Sequence, residues 1–156
     1  MFSTLISFKA RASCFGALAA CAVAFMATAA RADTRWATLK AIHLLENPNN
    51  RTTPGPFGEL GAYQFRSAVW YRYTKVPFSH ALNRASSDAI ALRHYDYLKG
   101  QLEEHGIPGT PYNIAKAWNG GLGAALAHRS SRAARDYAQR AANMAASFDT
   151  AVAASP

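Results

Sequence analysis

Apolar residues return every three or four positions along most of this chain, the spacing that gives a helix one buried face. Trp36, Leu39, Ile42, His43, Leu45 and Glu46 form the first such stripe after residue 33, and Asp33 or Thr34 offers an oxygen to cap it. Asn47 precedes Pro48 and so resists the α conformation, which ends the helix at about Glu46. Asn47 to Gly61 holds three prolines, three asparagines and three glycines and reads as an irregular loop. A short aromatic helix is expected within Phe65 to Tyr73, ended by Pro77. Ser86 or Ser87 caps the longest helix, with Ile90, His94, Tyr97, Leu98 and Leu102 on one face and Gly106 as its stop. Thr110 followed by Pro111 starts a helix that passes Ile114 and Trp118 and ends at Gly120. Ser131 opens the last one, where Ala133, Tyr137, Ala141, Met144 and Phe148 share a side. No repeat and no alternating strand pattern appears, and any strand is short and lies within Asn50 to Gln64. The reading is a single mainly-α domain over residues 33–150, with little or no sheet and a disordered tail at 151–156.

The first 32 residues change the picture of where this domain works. Lys9 and Arg11 give a positive start, Cys14 to Ala30 is an apolar run of 17 residues, and Ala30-Arg31-Ala32 is an A-x-A site. A membrane anchor usually needs ~17–25 apolar residues, and a small-residue cleavage site follows this one, so a cleaved secretory signal is expected. Lipid attachment at Cys21 is the alternative, although Ala22 to Ala30 stays apolar where a lipidated chain usually turns polar. Cleavage takes both cysteines, Cys14 and Cys21, and leaves no thiol for a disulfide, a metal or a nucleophile. It also lowers the basic count from 17 to 14 against 9 acidic residues. An exported, basic domain without a stable membrane span is expected, drawn to anionic surfaces such as cell-wall polymers. No basic run interleaved with aromatics suggests nucleic acid.

Chemistry concentrates in three places. Glu46 ends the first helix, where the negative end of the helix dipole and cover from Trp36, Leu39, Ile42 and Tyr63 oppose its ionisation. A raised pKa suits a general acid, although a surface glutamate has the same sequence context. Gly61 to Phe65 reads G-A-Y-Q-F, offering an aromatic ring for a sugar face and the Gln64 amide as donor and acceptor, or simply core packing. Ala117 to Gly121 reads A-W-N-G-G, and its glycines either admit a ligand close to the backbone or cap a helix. His43 and Glu46 share a helix face, but no second pair at metal-ligand spacing appears; a histidine in the core or groove fits better, and no metal or cofactor is expected. His80, His94, His105 and His128 are scattered and carry no assigned role.

In this order and spacing the three motifs resemble the lysozyme-like superfamily, within it the soluble lytic transglycosylase and goose-type lysozyme group. Glu46 matches the family's helix-ending glutamate, with Gln64 18 positions later and Trp118 72 positions later. Ala133 to Ala138, A-A-R-D-Y-A, stands where the family often has E-T-R-x-Y-V. Asn47 replaces a usual serine, Tyr63 a methionine, Trp118 a tyrosine and Ala133 a glutamate. The resemblance implies a helical lysozyme-like domain that cuts the β-1,4 bond between N-acetylmuramic acid and N-acetylglucosamine in peptidoglycan, its expected partner. It implies Glu46 as the catalytic residue and Tyr63, Gln64, Trp118, Asn119 and Tyr137 as substrate contacts. A hydrolytic lysozyme usually needs a second carboxylate; Glu59 can approach the cleft from its loop, while Asp88 and Asp96 are weaker candidates. A transglycosylase is therefore the leading expectation. A muramidase, a non-catalytic peptidoglycan-binding protein and a structural or inhibitory envelope protein remain alternatives.

Overall fold

Helix boundaries follow the local chemistry of capping and of proline. The computed structural model describes residues 34–153, which are mainly helical and contain no sheet. The expected signal at 1–32, with Cys21, and the last tail residues, 154–156, lie outside the described residues. Helix α1 covers 34–46. It is followed by α2 (Ser67–Tyr73), a 3-10 turn (Phe78–Leu82), α3 (Arg84–Glu104), α4 (Pro111–Gly120), α5 (Leu122–Leu126) and α6 (Arg132–Ala153). Thr110 caps α4, accepting the Asn113 N–H at 3.3 Å, and Ser131 caps α6, accepting the Ala134 N–H at 3.1 Å. Among the described residues, no helix is long and apolar enough to cross a membrane.

Four local expectations are corrected. Asn83, not Ser86 or Ser87, caps α3, accepting the Ser86 N–H at 2.9 Å. The Ser87 hydroxyl is instead buried and donates to the Ala81 carbonyl at 3.0 Å. On α6 the buried stripe starts at Ala134 and continues through Tyr137, Ala138, Ala141 and Ala145; Ala133 is exposed. Helix α5 occupies residues read as a glycine-rich turn, because Gly121 (φ +85°) makes the whole turn by itself and Leu122 starts a new helix. Helix α6 continues through Ala153, three residues into the expected tail, since 151–153 contain no helix breaker.

Two apolar clusters hold these helices. The larger contains Tyr63, Phe65, Trp70, Ile90, Tyr95, Leu98, Leu102 and Ile114, with Trp118 packed against it. Burying each such large side chain contributes roughly 1.5–3 kcal/mol. The smaller joins Ala37 and Ala41 of α1, Ala115 of α4 and Tyr137, Ala138, Ala141 and Ala145 of α6. Small residues there let helices approach closely: a Cβ on Gly120 would lie 2.7 Å from that of Ala134. The one bridge among the described residues pairs Leu60 with Phe65 and closes a tight turn that carries Gly61 to Gln64. Gly61 has φ +77°, and a Cβ there would sit 1.8 Å from the Ala81 carbonyl oxygen, so no other residue fits.

Candidate active site

Glu46 ends α1 and lines a cavity of about 580 Å³. Tyr137 of α6 donates its hydroxyl to Glu46 Oε1 at 2.8 Å, across 91 residues of sequence. Burial pushes the Glu46 pKa up from 4.5, the Tyr137 hydrogen bond opposes this, and the negative charge of Glu59 adds to the rise. Among the described residues no hydrogen bond reaches Glu46 Oε2, and it is not one of their buried unpartnered atoms, Arg35 Nε and Ser130 Oγ, so it is reachable on a residue that lines the cavity. One oxygen is thus held by the protein and the other is free to carry a proton outward.

Behind Glu46, polar side chains fix the loop that follows it. Asn47 is buried and spans the loop: its Nδ2 donates to the carbonyls of Arg51 (2.9 Å) and Gly61 (3.2 Å), and its Oδ1 accepts the Arg51 N–H (2.9 Å). Asparagine at the usual serine position therefore ties the glutamate's helix end to the G-A-Y-Q-F turn. His43 is buried too. Arg84 donates to its Nδ1 at 3.2 Å, which leaves Nε2–H to donate to Asn50 Oδ1 at 2.9 Å. Burial, then the Arg84 charge, hold His43 below the ordinary 6.5. Arg84 pairs with Asp88 at 2.8 Å, and Tyr63 donates to the same Asp88 oxygen at 2.6 Å.

The cavity brings together Glu46, Glu59, Tyr63, Gln64, Trp118 and Asn119. Two assigned contacts take different parts. Tyr63 lines the cavity but is 1% exposed, its ring packed among those of His43, Phe65 and Trp118, so it supports the wall. Tyr137 is buried and absent from the lining, and its hydroxyl is given to Glu46. Trp36, expected to cover Glu46, is 47% exposed. Asp88 is taken by Tyr63 and Arg84, and Asp96 pairs with Arg35 at 3.4 Å. Glu59 accepts the Phe57 N–H at 2.8 Å and the Arg66 Nε–H at 3.1 Å. Burial works against its charge, but these backbone and guanidinium donors win and hold its carboxyl below 4.5.

Sequence reasoning missed Phe57, Val69 and His94 on the cavity wall and left Arg66 without a role. Phe57 is 77% exposed, with the Arg66 guanidinium 4.9 Å from its ring centre. Local sequence places Phe57 in a loop and His94 mid-helix; only their convergence on Glu46 marks them. Among the described residues, no three of His, Cys, Asp and Glu gather as a metal site requires. The chain matches no protein-family model and no curated protein sequence.

Proposed function

We propose that this chain is a peptidoglycan lytic transglycosylase that cleaves the β-1,4 bond between N-acetylmuramic acid and N-acetylglucosamine, with Glu46 as its acid and base. The observation that carries the reading is a single carboxyl with a raised pKa, one oxygen held by Tyr137 and the other open to a cleft. Protonated Glu46 gives its proton to the bridging oxygen as the C1–O bond breaks, leaving an oxocarbenium-like muramyl residue. The Glu46 carboxylate then takes the proton of the muramyl 6-hydroxyl while that oxygen bonds to C1. The product is a 1,6-anhydro sugar, no water enters, and Glu46 ends protonated. The partner is the glycan strand, met in the cell envelope if the signal read in residues 1–32 directs export.

A hydrolytic muramidase is the second reading, favoured by Glu59 on the same cleft, where its depressed pKa keeps it ionised at neutral pH. Against it, both Glu59 oxygens already accept protein hydrogen bonds. Incubating the chain from Asp33 onward with purified sacculi separates the readings by mass spectrometry. Anhydro-muropeptides support the transglycosylase and new reducing ends the muramidase. Saccharide binding without released product, equal in Glu46→Gln, defeats both.

A further inference from the structure

His94 stands mid-way along α3, half-buried, and lines the same cavity as Glu46. Its ring meets Trp118 edge-on at 4.7 Å between centroids and lies parallel to Tyr97 at 6.3 Å, which fixes its plane. The Tyr73 hydroxyl is 2.9 Å from Nδ1. The Arg72 charge makes that phenol readier to give up its proton, and an unprotonated imidazole nitrogen is a good acceptor. The Tyr73 proton therefore goes to Nδ1, and a neutral ring with Nδ1 accepting carries its own proton on Nε2. Burial first, and then the Arg72 charge, hold His94 down at about 4, so the ring is neutral in ordinary buffers. Among the described residues no hydrogen bond reaches Nε2, and it is not one of their buried unpartnered atoms, so it is reachable on a residue that lines the cavity.

The neutral Nε2–H shares its wall with apolar Phe65, Val69 and Trp118, and that pairing selects among ligand groups. A hydroxyl would gain an acceptor contact there but leave its own proton unpaired. A carboxylate would need a cation, and Arg66, the arginine on this wall, is already paired with Glu59 at 3.1 Å. An acetamido group presents a carbonyl oxygen next to a methyl and matches both features of the wall. We propose that His94 is a specificity residue whose Nε2–H donates to the acetamido carbonyl of an N-acetylated pyranose, with the neighbouring apolar side chains taking its methyl. This rests on the saccharide reading of the cleft. His94 positions substrate and takes no part in proton transfer.

The test uses the uncut complex, in a Glu46→Gln parent, with two neutral ligands of equal length: N-acetylglucosamine oligomers and cello-oligosaccharides, which lack the acetamido group. His94→Phe keeps a ring between Tyr97 and Trp118 and removes the donor. Its affinity for the N-acetylated oligomer falls about 2- to 12-fold, the equivalent of one neutral hydrogen bond, and its affinity for the glucose oligomer stays unchanged. Tyr73→Phe, which releases the tautomer but leaves the ring, gives a smaller loss on the same ligand. Nitrogen NMR of labelled histidine reports independently. Nε2 of His94 bears the proton in the free protein and shifts with the N-acetylated oligomer alone. Equal losses on both ligands, no loss, or a proton on Nδ1 overturns the inference. If the parent binds neither oligomer, the saccharide reading falls with it. If wild-type protein releases anhydro-muropeptides while the His94 signal does not respond to N-acetylated oligomer, only the inference falls.

Discussion

The two apolar clusters differ in texture, and Glu46 stands where they meet. One is built from large rings: Tyr63, Phe65, Trp70 and Tyr95, with Trp118 against them. Tyr63, Phe65 and Trp118 of this cluster border the cleft, with polar groups beside them on its wall. The other is built from alanines of α1, α4 and α6, which let backbones close up until the one large buried group between them is Tyr137. The aromatic side borders the open cleft, and the alanine side packs closely and delivers the Tyr137 hydrogen bond to Glu46 Oε1. A carboxyl between a closely packed face and an open one loses hydration without losing access, the condition for a proton donor near neutral pH.

The strongest way to break this comparison is Glu46→Gln. Release of product from sacculi should fall by at least about 100-fold, since a positioned general acid contributes roughly 10²–10⁴. The same change should stabilise the fold at neutral pH. The Glu46 pKa is raised above 4.5 in the folded state, so its contribution is fully present below 4.5 and is lost as pH rises through the folded value. The melting temperature of Glu46→Gln should therefore exceed that of wild type at pH 7, with the gap closing toward pH 4. An equal gap at both values breaks the account.

Tyr137→Phe attacks the alanine side alone. Losing a hydrogen bond to a carboxylate costs about 1.5–3 kcal/mol of stability, measurable by denaturant titration. Because that bond favours the ionised form, the Glu46 pKa should rise further and the alkaline limb of the pH–rate profile move to higher pH. Ala138→Leu tests the closeness of the helices. Overpacking there should cost about 1–3 kcal/mol and, by displacing α6, reproduce the Tyr137→Phe pH shift. The smallest effect, of opposite sign, belongs to the open side. Glu59→Gln removes a charge that raises the Glu46 pKa, so the alkaline limb should move to lower pH. Anhydro products should persist; their disappearance would assign Glu59 a chemical step.

Much of this was legible in local sequence. Asn47-Pro48, Thr110-Pro111 and Ser131 act through steric and hydrogen-bonding rules that reach only a few residues, and the helices end or begin where those rules require. The burial stripes of α4 and α6 follow the 3.6-residue period apart from the first turn of α6. Helix α5 was hidden because Gly121 and Gly123 read as a turn whether or not a helix resumes between them.

The sequence alone determined the helices other than α5, the punctuating loop and the order of the three motifs, because each depends on residues that are neighbours in the chain. Tertiary structure decided that Tyr63 is covered by other rings where it borders the cleft while Trp118 and His94 stay partly exposed there, that Glu59 is clamped by Phe57 and Arg66, and that Tyr137 reaches Glu46. Those outcomes turn on which ring is covered and which hydroxyl meets which carboxyl across 91 residues, and close packing of distant helices fixes them, not local preference.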